Sequence, residues 1–298
     1  MGITLLAIFI GAGLYIHFRG SVRHSFRRQL TSHTNLTAPY NAFTYLVSAI
    51  PNTPYIEKEQ LADLSLLDDN WETIREEAQA LFAAEQITQS DTVDDIAFNS
   101  FFRTGWGRFY LKWYGDFFPS GNQHCPKTIE LLKQLPQVNA AMFASLPPGA
   151  KLAEHRDPFA GSLRYHLGLF TPNSSDCFIK VDGVPYHWKD GESVLFDETY
   201  IHTAENNTDQ PRVILFCDVR RPLRYEWANK LNIWVCNTIL KSSATKNVPG
   251  EKVGIVNRAF GQIYKLRTLG KRIKKWNRKG YYVMKYVFFA LIIYLIFF

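Results

Sequence analysis

Read for the spacing of its apolar positions, the chain divides into an apolar head, a helical stretch, a run of short alternating segments and an apolar tail. Ile3 to Phe18 (ITLLAIFIGAGLYIHF) is apolar except at Thr4 and His17. Leu61, Leu64, Leu67, Trp71, Ile74, Ala78, Leu81 and Phe82 recur at helical spacing and predict one helix over 61–82. From about Phe109 the period shortens. FYLKWYG, VNAAMFASL, SLRYHLGLF, CFIKVDG, VPYHWKD, SVLFD and RVILFCDV are short β-branched and aromatic runs, separated by turns such as LPPGAK, TPNSSD, VDGVP and KDGE. Short strands at such regular spacing predict an all-β sandwich or barrel. Leu223 to Ile239 returns to helical spacing, and Tyr286 to Phe298 (YVFFALIIYLIFF) is unbroken apolar chain.

Charge sharpens this division. The net charge of +7 belongs to the ends. Residues 1–56 hold four arginines (19, 23, 27 and 28) and no acid, and 252–298 hold eleven Lys or Arg and no acid. Between them, 57–251 carries nineteen basic and twenty-seven acidic residues, a balance of −8. As helices of roughly 16 and 18 residues, the apolar ends reach about 24 and 27 Å against a hydrocarbon core of ~30 Å, a gap that snorkelling at Lys285 and local thinning would close. A cleaved signal peptide fits poorly, because the charges follow the first apolar run and no A-x-A site closes it. The expected organisation is a membrane anchor at 1–19, a basic and polar connector at 20–56, a folded domain at 57–222 with its β core at about 100–222, a helical and basic membrane-proximal linker at 223–280, and a second anchor at 281–298. The basic flanks put the domain on the cytoplasmic side. Basic residues interleaved with Phe260, Ile263, Tyr264 and Trp276 suit anionic lipid headgroups rather than nucleic acid. Cys125, Cys177, Cys217 and Cys236 show neither C-x-x-C pairing nor zinc-site spacing, as expected of thiols in a reducing compartment.

The candidate chemistry lies in HRDPFAGSLRYHLGL, residues 155–169. Side chains two apart on a strand share a face, so His155 and Asp157 are expected together, as are Ser162, Arg164 and His166 on the next strand. His202 follows in LFDETYIHTAEN, and Arg212 stands ten residues beyond it. Two histidines and a carboxylate on one side of a metal form the facial arrangement of non-haem Fe(II) oxygenases, which leaves the other positions open. A 2-oxo acid can fill two of these and dioxygen the third, and the planar fork of an arginine suits the far carboxylate of a dicarboxylic co-substrate. H-x-D alone is common. With a later histidine and an arginine ten residues on, all among short strands, the pattern is considerably more specific.

The stretch from about 100 to 222 resembles the aspartyl/asparaginyl β-hydroxylase family of Fe(II)/2-oxoglutarate-dependent oxygenases, through EHRDP, the R-x-H of GSLRYHLGL, KDGE before SVLFDETYIH, and PRVILF. The resemblance implies a mainly β chain with a double-stranded β-helix (jelly-roll or cupin-like) core, flanking helices and the terminal membrane anchors. It implies His155 and His202 as iron ligands and Arg212 as the holder of the 2-oxoglutarate carboxylate. Arg164 and His166 would line the same pocket, with Ser145 in FASLPPG a further co-substrate contact. Asp157 supplies a carboxylate ligand where the animal peptidyl members carry a non-ligating residue. With two anchors around the domain, the chain is similar to the bacterial lipid A 2-hydroxylases. That implies Kdo2-lipid A as substrate at the cytoplasmic face of the inner membrane, with O2 as second co-substrate, hydroxylation at C2 of a secondary acyl chain, and release of succinate and CO2. Three other readings stay open. A peptidyl aspartyl/asparaginyl hydroxylase would share the metal and co-substrate residues, a cupin-like binding protein would be non-catalytic, and a zinc hydrolase on His155, Asp157 and His202 would lack an obvious base. His124 and His187 have no partner at ligand spacing, Trp106, Lys112 and Trp113 read as packing, and His17 as an interfacial residue.

Overall fold

The computed structural model describes residues 2–30, 32–88, 95, 98 and 101–297, with backbone alone at 30, 261–268, 292–293 and 296–297. The apolar runs read as strands are strands. In chain order the described strands are β1 (Tyr55–Ile56), β2 (Gly107–Trp113), β3 (Asp116–Phe117), β4 (Val138–Leu146), β5 (Lys151–His155), β6 (Ser162–Phe170), β7 (Cys177–Val181), β8 (Val184–His187), β9 (Ser193–Phe196), β10 (His202–Asn206) and β11 (Arg212–Arg220). They form two antiparallel sheets, ordered β1-β9-β6-β11-β4-β2-β3 and β5-β10-β7-β8. From β4 to β11 the chain winds between rows β9-β6-β11-β4 and β5-β10-β7-β8, the eight-stranded order of a jelly roll.

Side-chain alternation divides the core in two. On β4, Ala140, Met142, Ala144 and Leu146 face the space between the sheets, with Ile179, Val181, Ile214 and Phe216. Ala141 and Phe143 face the other way, with Leu163, Tyr165, Leu167 and Leu215. That second layer is covered by the helices Trp71–Ala83 and Pro126–Lys133, through Ile74, Ala78, Leu81, Ile129 and Leu132. The larger sheet is therefore buried on both faces, which is why β4, β6 and β11 read as nearly continuous apolar runs. The single helix expected over 61–82 is broken. Helical turns at Lys58–Leu64 and Ser65–Asp68 precede the helix Trp71–Ala83. Asp69 and Asn70 favour turns over helix, and Asn70 Nδ2 donates back to Leu66 O at 2.8 Å.

The segment 20–56, expected as a connector, belongs to the body. It holds the helix Ala38–Leu46 and β1, which pairs with β9. The N-terminal helix Gly2–Phe18 packs on Ala38–Leu46, burying Ala12 and Ile16 against Ala38, Tyr45 and Ala160. His17, expected at an interface, is buried beside Phe18 and Phe26. The basic stretch and tail form the helices Ile255–Trp276 and Arg278–Phe297, and Phe298 lies outside the described residues. Among the described residues, no helix is long and apolar enough to cross a membrane. All four cysteines are buried free thiols.

A buried charge cluster ties the N-terminal helix to the jelly roll. Asp197, fully buried, accepts from Arg19 Nη2 at 2.5 Å and from Arg221 Nη2 at 2.6 Å. Arg19 lies between the rings of Tyr45 and Tyr200, 3.8 and 4.0 Å from their centroids, and its Nη1 donates to Thr199 Oγ1 at 2.7 Å. Burial opposes the charge on Asp197, yet Arg221 and Arg19 together hold its pKa down to about 2. Removing one cation leaves the carboxylate partly uncompensated. Arg19→Met is expected to lower unfolding free energy by about 3 kcal/mol, read as a lower urea midpoint at neutral pH.

Candidate metal centre and co-substrate pocket

Strand pairing brings the two histidines together. β5 and β10 are antiparallel neighbours with His155 opposite His202, and the ring centroids are 4.2 Å apart. Asp157 joins them from outside the strand, contrary to the alternation expected of one continuous strand. The chain turns after β5, and the Asp157 N–H donates to Glu198 O at 2.9 Å. The potential ligand atoms of His155, Asp157 and His202 all lie within 4.8 Å of one another.

The backbone sets the tautomers. His155 Nδ1 lies 2.7 Å from Ala153 O, and His202 Nδ1 lies 2.9 Å from Tyr200 O. A carbonyl only accepts, so each Nδ1 carries a proton, and in the neutral tautomer this leaves the lone pair on Nε2, where a metal ligand requires it. Burial, reinforced by His155, pushes the pKa of His202 down to about 3. His202 is therefore a neutral donor at any physiological pH.

Arg164 on β6 organises the carboxylates. Its Nη2 donates to Asp157 Oδ2 at 2.9 Å and to Glu198 Oε2, while its Nε lies 2.9 Å from Asp218 Oδ1. Ser162 Oγ donates to Glu198 Oε1 and Tyr114 Oη to Asp218 Oδ2, each at 2.8 Å. Burial pushes the pKa values of Glu198 and Asp218 upward. Burial also opposes charge on Asp157, but Arg164, His202 and His155 outweigh it and hold that pKa below the usual range. The negative charge therefore concentrates on the carboxylate nearest the histidines. Arg164 lines the cavity wall, but its guanidinium is taken up by three carboxylates. It lines the pocket as expected, and from that wall it orients Asp157.

Arg212, at the start of β11, is the opposite case. It is 2% exposed, its guanidinium lies 4.3 Å from the Trp188 ring centroid, and its Nε has no hydrogen-bond partner. No carboxylate pairs with it among the described residues. Burial lowers its pKa to about 10, which leaves it charged at neutral pH. His166 is buried among Trp188, Phe196 and Phe216 with neither ring nitrogen hydrogen-bonded. Burial, aided by Arg164 and Arg212, drives its pKa well below the ordinary histidine value, so it is neutral. An unpaired buried cation and a neutral imidazole beside two histidines and a carboxylate suit a metal with an anionic co-substrate.

His155, Asp157, Arg164, His166, His202 and Arg212 line one cavity with Phe101, Trp106, Trp188 and Phe216. Ser145 does not belong to it. Its parity on β4 is that of Ala141 and Phe143, which face the helical layer, so the expected co-substrate contact is not made. Glu198, Asp218 and Trp188 were not anticipated. Glu198 lies in the DETYIH run and was within reach, whereas Asp218 meets Arg164 only through the β6–β11 register.

Fold and site together define a jelly roll with a two-histidine, one-carboxylate constellation at its mouth. The family model described as aspartyl/asparaginyl beta-hydroxylase matches residues 68–222, and the chain belongs to that family. An ornithine lipid ester-linked acyl 2-hydroxylase from Rhizobium tropici is 35% identical over 155 residues, covering 50% of this chain and 55% of that protein. Aspartate beta-hydroxylase domain-containing protein 2 from Homo sapiens is 31% identical over 205 residues, covering 65% of this chain and 54% of that protein. The chain thus spans about half the length of these relatives. A prolyl-4-hydroxylase structure from Pseudomonas putida aligns with a TM-score of 0.35 at 16% identity, over 52% of this chain and 87% of that one.

Residues that orient metal ligands typically contribute 10- to 100-fold to affinity. Arg164→Met is expected to weaken Co(II) binding by about that factor, read by titrating the visible absorption of the metal, with the far-UV circular dichroism unchanged.

Proposed function

We propose that this chain is an Fe(II)/2-oxoglutarate-dependent dioxygenase that hydroxylates C2 of a lipid acyl chain, with Kdo2-lipid A its substrate at the cytoplasmic face of the bacterial inner membrane. The observation that carries this reading is the meeting of His155, Asp157 and His202 within 4.8 Å, beside a buried arginine that no carboxylate of the described chain engages. Fe(II) held there supplies, with O2 and 2-oxoglutarate, oxidation of an unactivated C–H bond to an alcohol, coupled to release of succinate and CO2.

The chain's own residues divide the work. His155 and His202 offer Nε2 donors, and Asp157 a carboxylate oxygen, all from one side, which leaves the other positions open. Arg164 keeps Asp157 charged and oriented. Arg212 receives the far carboxylate of the co-substrate through its planar fork, over the face of Trp188. His166 offers a hydrogen bond beside it without adding charge. Phe101, 4.9 Å from the ring of His155, and Trp106 keep water from the open side.

A lipid substrate is supported by the position of the apolar N-terminal helix. Arg156, between ligands His155 and Asp157, donates to Ile16 O at 2.9 Å in that helix's last turn, and Arg19 just beyond it binds the loop that leads to His202. The similarity to the Rhizobium tropici acyl 2-hydroxylase supports it too, and favours a second reading in which the lipid is an ornithine lipid.

Mass spectrometry of lipid A and of the whole lipid extract tests these readings in cells expressing the intact chain or His155→Ala. One added oxygen on an acyl chain of lipid A is expected with the intact chain only. An added oxygen on ornithine lipid alone would favour the second reading. Succinate formed from 2-oxoglutarate without any modified lipid would leave the oxygenase and remove the lipid. Separately, Arg212→Met is expected to raise the KM for 2-oxoglutarate about 10- to 100-fold, the cost of a lost charge-assisted pair, with smaller effect on Co(II) affinity.

A further inference from the structure

The helix Glu226–Val235 is pinned on one face and bare on the other. On the inner face, Asn232 Nδ2 donates to Gly161 O at 2.8 Å, and its Oδ1 accepts from Tyr40 Oη at 2.9 Å. Ala228 and Val235 are buried beside it. Gly161 stands four residues after Asp157, and a Cβ there would come within 2.3 Å of Asn232 Oδ1. The helix is thus fixed to the segment that carries a metal ligand.

On the outer face, Trp227, Leu231 and Trp234 follow at helical spacing, 58%, 38% and 59% exposed. Tyr225 stacks on Trp227 at 6.2 Å and 14°. Phe43 packs against Trp227 at 5.5 Å and joins the stripe to the helix Ala38–Leu46, where Leu46 is 79% exposed. That helix packs in turn on the N-terminal helix, whose Ile3, Ile8, Ile10 and Phe18 are exposed. These exposed apolar side chains lie on three helices packed in series, and exposed apolar area of this kind marks an interaction surface.

We propose that this face is seated in the headgroup–acyl boundary of an anionic bilayer, with the helix Glu226–Val235 in the membrane plane. Three observations select a bilayer over a protein partner. The face is joined, through the helix Ala38–Leu46, to an apolar terminal helix. Its aromatic side chains at the helix Glu226–Val235 are Trp227, Trp234 and the adjoining Tyr225, whose amphipathic rings settle at membrane interfaces. The chain that follows, 252–298, carries eleven basic residues and no acid, a flank that anionic lipid attracts. The inference goes beyond the lipid-substrate reading, because it concerns where the body sits and would stand with a peptide substrate.

The test is tryptophan quenching in the full-length chain by vesicles of phosphatidylethanolamine and phosphatidylglycerol with brominated acyl chains. Trp276, 86% exposed in the tail, is first replaced by Phe so that it cannot contribute. In this Trp276→Phe chain, brominated vesicles are expected to quench emission relative to unbrominated ones. Further replacement of Trp227→Phe and Trp234→Phe, which keeps an apolar ring at both places, is expected to remove that quenching while the chain still floats with the vesicles. Three results would overturn the inference: no quenching in Trp276→Phe despite flotation, quenching that survives the triple replacement, or emission shielded without vesicles in a dimer, where a second copy covers the face. The measurement reads position rather than turnover, so its failure is separable from failure of the hydroxylase reading.

Discussion

One guanidinium keeps mutually repelling groups together at the mouth of the jelly roll. Arg164 touches Asp157, Glu198 and Asp218, which come from three different parts of the chain. Two like charges 4 Å apart repel by about 4 kcal/mol at an effective dielectric of 20, so three buried carboxylates without a cation would take up protons, Asp157 included. With Arg164 between them, burial pushes the pKa values of Glu198 and Asp218 up while that of Asp157 is held down, so negative charge is favoured on Asp157. The β6–β11 register that sets Arg164 opposite Asp218 therefore also fits Asp157 for the proposed metal site. A slip of one residue would turn Arg164 to the helical layer and undo all three contacts.

The loop before His202 is held from both sides by the same device. Consecutive acids point to opposite cations: Asp197 to Arg19 and Arg221, Glu198 to Arg164. Tyr200 then gives its carbonyl to His202 Nδ1, while its ring lies against Arg19 and its hydroxyl donates to Asn52 O at 2.6 Å. The orientation of one histidine thus depends on the end of the N-terminal helix. The other histidine's neighbour, Arg156, caps that same helix, where the last carbonyls lack partners of their own. An apolar terminal helix that looks detachable by composition is part of the scaffold of the site.

How much of this was legible in sequence follows from which faces are buried. β4 and β6 are readable to their end residues because the larger sheet is covered on both sides and its strands are nearly continuous apolar runs. β5 and β10 were not among the apolar runs, although they carry the histidines. Their sheet has a wet outer face, and KLAEH and HTAEN give up alternate positions to it, among them Lys151 and Glu205. The histidines themselves were legible through spacing. Ser145 lies in the expected motif, FASLPPG, but its parity on β4 turns it to the helical layer. Asp218 was out of reach, since its partner lies 54 positions away and only sheet register joins them. The helical stripe over 61–82 predicted burial correctly at Leu64, Leu67, Ile74, Ala78 and Leu81, but periodicity cannot register the local turn chemistry at Asp69 and Asn70.

The two arginines of the cavity show how partners rather than residue type assign a role. Arg164 and Arg212 both stand on central strands of the larger sheet, both are buried, and both lie over an aromatic ring, Phe216 at 3.8 Å and Trp188 at 4.3 Å. Arg164 stands among three carboxylates, so its charge is already committed within the fold. Arg212 meets none among the described residues, and an uncompensated buried charge costs several kcal/mol. That cost at one position, next to a neutral histidine with both nitrogens free, is what supports the proposed place for an anionic co-substrate. The division between the two follows from the register that supplies Arg164 with Asp218 and leaves Arg212 opposite Leu146 on β4.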